Sequence, residues 1–138
     1  MIKIDNRTAR SLWLSVQQLS KAPTGALDVL SIIRALGFVQ LDTIQTVTRA
    51  HHHILWSRNQ NYREPMLDNL LGKERSIFEH FTHDASAIPM EFLPMWQRRI
   101  QRMPLFLRRT GWFRERPDVD ICTEIEKRIR AEGALSTH

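Results

Sequence analysis

The chain is poor in the residues that build disulfide scaffolds and membrane spans. It contains one cysteine, Cys122, which excludes an intrachain disulfide and favours a reducing compartment. No apolar run approaches the ~20 residues that a membrane-spanning helix needs. The N-terminal residues Met1–Asp5 lack the continuous apolar core of a signal peptide. We therefore expect a cytoplasmic protein that has no membrane partner.

Lysine is also scarce, although the chain is basic. Four of the twenty Lys and Arg residues are lysines, and the formal net charge is +5. The planar guanidinium of arginine suits phosphate oxygens and base edges, whereas lysine acts mainly as a point charge. A positive charge of this composition favours a polyanion such as nucleic acid as the partner.

Hydrophobic periodicity in these 138 residues predicts one mostly helical α+β domain. The predicted helices are Arg7–Leu19, Asp28–Leu36, Thr46–Asn59, Pro65–Gly72, Glu91–Arg102 and Pro117–Glu132. Asn6 is the expected N-cap of the first helix, whose apolar residues, Leu12 among them, recur at helical spacing. Trp13 and Trp56 are expected in the core, and Pro104 is expected to break the fifth helix.

Two short segments alternate between core-facing and outward side chains, as strands do. Phe38–Asp42 is a predicted strand, and Ser76–Pro89 predicts two strands that bend at His83 and Asp84. Three helices followed by a β-hairpin is the order of a winged helix-turn-helix module. We therefore predict such a domain over residues 1–90, followed by Arg-rich linking helices over 91–138.

The C-terminal residues suggest that this chain is one part of a longer protein. Gly133 is expected to close the last helix, and Ser136 and Thr137 then supply capping residues with no helix to cap. We expect this chain to be the N-terminal part of a longer protein. Apolar surface left by missing modules is predicted to favour a dimer.

Gln40 and Asp42 lie on the same face of the predicted strand. Val39 and Leu41 would face the core, and Gln40 and Asp42 would share the outer face, roughly 6–7 Å apart. A carboxylate can accept a proton from an attacking water, while a carboxamide can fix the position of that water. A carboxylate that follows a strand is also a common helix cap, so both roles stay open.

The three consecutive histidines do not predict a metal site. On a helix, His51, His52 and His53 point about 100° apart and cannot converge on one ion. His80 and His83 lie three residues apart without a third ligand at a recognisable spacing. We predict no metal, and we expect a histidine of the run to contact a phosphate or a base.

The segment Gln97–Arg116 holds seven arginines against one acidic residue, with Trp and Phe residues between them. Arginine interleaved with aromatic residues is typical of a clamp on a nucleic-acid backbone. The same pattern also fits an amphipathic helix with a solvated charged face, and this alternative stays open.

Several motifs now resemble one family. They are Gln40-Leu41-Asp42-Thr43-Ile44, V-x-R-x-H-H around Arg49, L-x-S-R ending at Arg58, Tyr62, and His83-Asp84-Ala85. The family is the bacterial winged-helix DNA glycosylases that unhook interstrand crosslinks and excise N-alkylated purines. It is related to the resistance glycosylases of azinomycin-type antibiotic producers. The resemblance covers nearly the whole chain, and its most specific part is Gln40-Leu41-Asp42, which matches the family's Gln-apolar-Asp catalytic motif. The resistance branch carries Gln in place of the Asp, so Asp42 places this chain nearer the broad repair branch.

The resemblance implies a monofunctional DNA glycosylase that hydrolyses the N-glycosidic bond of N7-alkylated purines and unhooks crosslinks. Asp42 would activate the water that attacks the deoxyribose C1′, and Gln40 would position it. No lysine lies near the motif to form a Schiff base, so a hydrolytic reaction is expected. The family implies double-stranded DNA as the partner, with no metal and no small-molecule cofactor.

The predicted DNA contacts are basic residues near the motif and in the Arg-rich segment. They are Arg49, His51, His52, Arg58, His83, Arg98, Arg99, Arg102, Arg108 and Arg109. Family members are longer and contain tandem winged-helix modules, so this chain alone could be inactive. The alternative is a non-catalytic, regulatory winged-helix DNA-binding protein in which Gln40 and Asp42 are structural.

Overall fold

The structure, a computed structural model, describes residues 3–110, 119–133 and 135; the side chains of 104–110 and 119 lie outside this description. In chain order the helices are α1 (Asn6–Val16), α2 (Val29–Leu36), α3 (Ala50–Trp56), α4 (Pro65–Gly72), a 3-10 turn (Met90–Phe92), α5 (Leu93–Thr110) and α6 (Val119–Glu132). The strands are β1 (Val39–Gln40), β2 (Ile77–Phe81) and β3 (Ala85–Pro89). Contacts divide the chain into two units, Met1–Met95 and Trp96–His138.

The three strands form one antiparallel sheet with the order β1-β3-β2. Val39 pairs with Ala87 and Gln40 with Ser86, so β1 lies against β3 rather than against its neighbour in the sequence. Helices α2, α3 and α4 come before the β2–β3 hairpin, with β1 between α2 and α3. This arrangement is consistent with a winged-helix-like module, and the predicted mostly helical α+β class is confirmed.

Local signals set the ends of α2 and α4. Asp28 caps α2 by accepting hydrogen bonds from the Ser31 amide (2.9 Å) and hydroxyl (2.7 Å). Gly37 ends α2 at φ 87°, a left-handed conformation that favours glycine. Pro65 begins α4 as predicted, because its fixed φ suits the first helical turn.

The core of the first unit lies between the helices and the sheet. Its buried residues come from α2, α3, α4, all three strands and the segment between α3 and α4: Val29, Ile33, Val39, Leu55, Tyr62, Leu67, Leu70, Ile77 and Ala87. Leu41 packs against this cluster while Gln40 is exposed. The predicted alternation through residues 39–41 is therefore confirmed.

The predicted N-cap of α1 and the predicted core positions of Trp13 and Trp56 are wrong. The N-cap of α1 is Asp5, which accepts from the Thr8 amide (2.9 Å), rather than Asn6. None of its residues is buried; Leu12 is exposed, and Trp13 is 67% exposed. Trp56 at the end of α3 is also 48% exposed. Helical spacing creates an apolar face, but it does not say whether another element covers that face.

Three predicted boundaries also differ from the structure. Helix α3 begins at Ala50 because Gln45 and Arg49 first pair as an isolated β-bridge. Strand β1 has two residues rather than five, although Leu41 still donates to the Ala85 carbonyl (2.7 Å). The predicted break at Pro104 is wrong, since helix α5 continues through this residue. A proline can kink a helix without ending it.

Some predictions fall outside the described residues, namely those for Pro117, Ser136 and Thr137. Gly133, at φ 88°, follows α6, and its amide bonds the Ile129 carbonyl (2.9 Å), which agrees with its expected role at the helix end. Among the described residues, no helix is both long and apolar enough to cross a bilayer.

Candidate active site

Gln40 lies at the end of β1 with an exposed side chain. Its backbone pairs with Ser86 of β3, which fixes the residue at the edge of the sheet. Its side-chain Nε2 donates to Oδ2 of Asp84, 3.5 Å away. The motif glutamine is therefore next to a carboxylate from the hairpin turn (residues 82–84).

Asp42 follows β1 and is half-buried. Its backbone amide donates to Nδ1 of His51 (3.1 Å), and its own Oδ1 accepts from the Ile44 amide (2.8 Å). The second contact closes a short turn of the kind that Asp side chains commonly form. Asp42 is not a helix cap, because Arg49 occupies the N-cap position of α3. Within the described residues, Oδ2 of Asp42 accepts no hydrogen bond and remains available.

The hairpin turn is held by a buried serine. The Ser86 hydroxyl donates to the Asp84 carbonyl (3.0 Å) and bonds the Thr82 hydroxyl (2.8 Å). The Thr82 amide also donates to the Asp84 carbonyl (3.0 Å). Because Ser86 is fully buried, these contacts fix the backbone of the turn, which carries the Asp84 side chain.

Asp84 is the residue that the sequence prediction missed. It stands in the His83-Asp84-Ala85 motif, yet nothing local connects it with Gln40, 44 residues earlier. The signal that could have found it is the antiparallel pairing of 39–41 with 85–87, which brings the two together. His83, a predicted DNA contact, is exposed in the same turn.

His51 and His52 are both buried, on the inner side of α3. Their ring centroids lie 4.1 Å apart, and Nδ1 of His52 is 2.8 Å from the Tyr62 hydroxyl. Burial leaves little of either ring to contact a phosphate, so we no longer propose them as DNA contacts. His53, the third of the run, is exposed.

Burial also changes the acid–base behaviour of this cluster. It lowers the pKa of His51, with the nearby charges of His52 and Arg49 adding to the effect and Asp42 and Glu64 opposing it. Burial raises the pKa of Tyr62, which therefore stays a neutral hydrogen-bonding partner of His52.

Glu64 connects this cluster with the loop before α3. Its carboxylate accepts from the Thr48 hydroxyl, and its Oε2 is 3.6 Å from Nε2 of His52. The Thr48 hydrogen bond is the main cause that lowers the pKa of Glu64, with smaller contributions from His52 and Arg49. The contacts tie the end of the loop to the start of α4.

The two predicted arginine contacts near the site have different environments. Arg58 is half-buried and donates from Nε to the Gln17 carbonyl (3.1 Å) and from Nη1 to the Ile54 carbonyl (3.1 Å). Burial lowers the pKa of Arg58. Its guanidinium thus joins the residue after α1 to α3. Arg49 is exposed at the N-terminal end of α3, and its contact with DNA stays a prediction.

The Arg-rich segment belongs to the second unit. Arg98, Arg99 and Arg102 are exposed on α5, and the i, i+4 spacing of Arg98 and Arg102 puts them on one side of it. Arg108 and Arg109 fall on α5, but their side chains lie outside the described residues. The DNA clamp stays a prediction. Within the described residues, no group of three or more His, Cys, Asp and Glu side chains is placed to hold a metal ion.

Residues 33–138 match the family model described as DNA glycosylase AlkZ-like. The chain belongs to the AlkZ-like DNA glycosylase family. The matched residues include β1, the loop that follows it, the hairpin and α5, and the resemblance drawn from the motifs is confirmed. Membership in the AlkZ-like family makes DNA the partner and identifies a hydrolase of DNA repair. No solved structure matches the chain.

Proposed function

We propose that this protein hydrolyses the N-glycosidic bond of N7-alkylated purines in duplex DNA, with Asp42 activating the water and Gln40 positioning it. The observation that carries the proposal is the placement of Asp42. Its backbone and Oδ1 are both held, while Oδ2 has no partner among the described residues. A carboxylate that is fixed at one oxygen and available at the other suits a group that accepts a proton from water.

The reaction needs one new bond and one broken bond at the sugar. Water attacks the deoxyribose C1′, the C1′–N9 bond breaks, and the proton of the water passes to Asp42. Positive charge develops on the sugar in the transition state, and the carboxylate of Asp42 stabilises it electrostatically. An N7-alkylated purine is already cationic, so it leaves as a neutral base with little acid assistance.

The side-chain amide of Gln40 is oriented by its hydrogen bond to Asp84. Because Asp84 accepts from Nε2, the carbonyl oxygen Oε1 of Gln40 points away from that carboxylate. Oε1 can then accept one hydrogen of the attacking water, while Asp42 accepts the other. The lone pair of the water is left to attack C1′.

The exposure of the site supports crosslinked purines as a second substrate. Gln40 is exposed at the sheet edge and Asp42 is only half-buried. A purine that is still joined to the opposite strand cannot enter a deep pocket, whereas an open site accepts it. We propose that unhooking uses the same two residues, and that Arg49, His83 and the α5 arginines hold the DNA.

The test is single-turnover release of 7-methylguanine from duplex DNA, with a crosslinked duplex as a second substrate. The complete gene product and this 138-residue chain are assayed in parallel, because we propose that further modules of a longer protein supply additional DNA contacts. We expect release by the complete product and a slow rate in Gln40→Ala. A folded complete product that binds DNA but releases neither base is instead a non-catalytic DNA-binding protein.

A further inference from the structure

We propose that His51 is a positioning residue for Asp42: its neutral imidazole, protonated on Nε2, holds the main chain of Asp42 and so fixes the carboxylate for catalysis. This inference rests on the proposed function of Asp42. It gives His51 a different role from the direct DNA contact that its sequence context suggested. His51 acts through Asp42 and does not touch the DNA.

The first argument is the weak anchoring of the loop that carries Asp42. Residues 43–47 are all exposed, and Ile44 and Val47 are 74% and 81% exposed. In the part of the chain that the structure describes, the last hydrogen bond from this segment to the sheet runs from the Leu41 amide to the Ala85 carbonyl, just before Asp42. Packing therefore does not fix the loop at its start, and specific hydrogen bonds must do so.

His51 supplies the first of those bonds beyond the sheet. The Asp42 amide donates to Nδ1 of His51 at 3.1 Å, which joins the loop to α3 across nine residues. The far end of the loop is held separately by the Gln45–Arg49 bridge and by Thr48 on Glu64. Among the described residues, His51 is the group that binds the Asp42 main chain.

The second argument concerns the protonation of the ring. An amide N–H can only donate, so Nδ1 of His51 must carry a lone pair and the proton of the neutral ring must lie on Nε2. The ring cannot turn easily, because it is buried and packs against His52, which Tyr62 holds in turn. The tautomer and the orientation of His51 are thus both set by the fold.

The contact is sensitive to pH. The charged or titratable groups that face His51 are His52 and Arg49, which disfavour its protonation, and Asp42 and Glu64, which favour it. Burial is the largest influence and lowers the pKa of His51 below its ordinary value of 6.5. Protonation at lower pH turns Nδ1 into a donor, breaks the bond to Asp42 and releases the loop.

Two substitutions separate the hydrogen bond from the packing. His51→Asn keeps an acceptor oxygen near the position of Nδ1 and does not titrate, whereas His51→Leu fills the space without an acceptor. His53→Leu is the matched control, because it makes the same change at an exposed position of the same helix. Each variant is compared in single-turnover rate, DNA affinity and pH profile, with Asp42→Asn in the same assay.

We expect His51→Leu to release 7-methylguanine about tenfold more slowly or worse, with DNA affinity within about twofold of wild type. His51→Asn should release base at a rate within about threefold of wild type. In wild type the rate should decline in acid below pH 6.5, and the part of this decline that is due to His51 should be absent from His51→Asn. A two-bond proton–nitrogen NMR spectrum of the chain should show the His51 proton on Nε2.

Several results would overturn the inference. They are a proton on Nδ1, a wild-type rate in His51→Leu, or equal losses in the Leu and Asn variants, which would indicate packing alone. If His51→Leu does not fold, the pH profile of His51→Asn decides. An inactive Asp42→Asn beside a fully active His51→Leu rejects this inference alone. An active Asp42→Asn rejects the proposed function and this inference with it.

Discussion

The side-chain amide of Gln40 donates to the carboxylate of Asp84, joining the end of β1 to the hairpin turn across a distance of 3.5 Å. A carboxylate can only accept, so this contact fixes Nε2 as the end of the Gln40 amide that faces Asp84 and Oε1 as the end that faces away from it. The orientation of a water-positioning glutamine thus depends on a residue 44 positions later in the chain.

We predict that Asp84→Ala slows base release about fivefold, because an exposed hydrogen bond of about 1 kcal/mol no longer orients Gln40. Asp84→Asn should lose less, since its carbonyl oxygen can still accept from Nε2. Single-turnover rates at saturating protein measure the effect. Glu79→Ala, which removes an exposed carboxylate from neighbouring β2, is the control and should leave the rate unchanged. Equal losses at the two positions would mean that only charge matters.

We predict that Arg58→Met destabilises the fold and leaves DNA binding intact. The loss of the two hydrogen bonds to main-chain carbonyls, those of Gln17 and Ile54, should lower the free energy of unfolding by about 2 kcal/mol. Urea denaturation measures this value, and a salt titration of DNA binding measures the number of phosphate contacts. Arg49→Met is the comparison: its stability should stay near wild type, while its slope of log affinity against log salt falls by about 0.9. A shallower salt slope for Arg58→Met would contradict this prediction and support Arg58 as a DNA contact.

We predict that the free energy of unfolding falls as the pH drops below 6.5. The pKa of His51 is lowered in the folded state, whereas the unfolded chain keeps the ordinary value of 6.5. Between the folded-state pKa and 6.5 the unfolded chain therefore binds more protons than the folded one, which stabilises the unfolded state. The loss is complete once the pH is below the folded pKa. Asp5, Asp28 and Glu64 also have lowered pKa values, but their contributions disappear only below their ordinary values of 3.8 and 4.5.

Urea denaturation at several pH values separates the pH range in which His51 acts from the lower range in which the carboxylates act. His51→Asn should flatten the decline that starts near 6.5, and His53→Asn, the same change at an exposed position of α3, is the control. A decline of unchanged size in His51→Asn would assign it to another group.

Local signals predicted much of the fold. Asp28 and Gly37 bracket α2, Pro65 begins α4, and the alternation after Ser76 gives both strands of the hairpin with the turn at the expected place. Each of these features depends on a few neighbouring residues, which the sequence displays directly.

Long-range packing accounts for what the sequence did not predict. The apolar face of α1 and the rings of Trp13 and Trp56 are exposed, because periodicity does not identify the element that covers a face. In the candidate site, too, the sequence did not reveal a contact between distant residues. Gln40 and Asp42 could be chosen from their spacing and motif, whereas the partnership of Gln40 with Asp84 follows from strand register.

The measurement that tests the central claim most directly is the single-turnover release of 7-methylguanine by Asp42→Asn in the complete gene product. Asn keeps an oxygen that can accept from the Ile44 amide, so the turn should survive while the charge is lost. Asp68→Asn makes the same change at an exposed position of α4 and is the control. We predict that Asp42→Asn folds, binds DNA and releases base about a hundredfold more slowly, while Asp68→Asn matches wild type. Release by Asp42→Asn at the wild-type rate would contradict the catalytic role of Asp42.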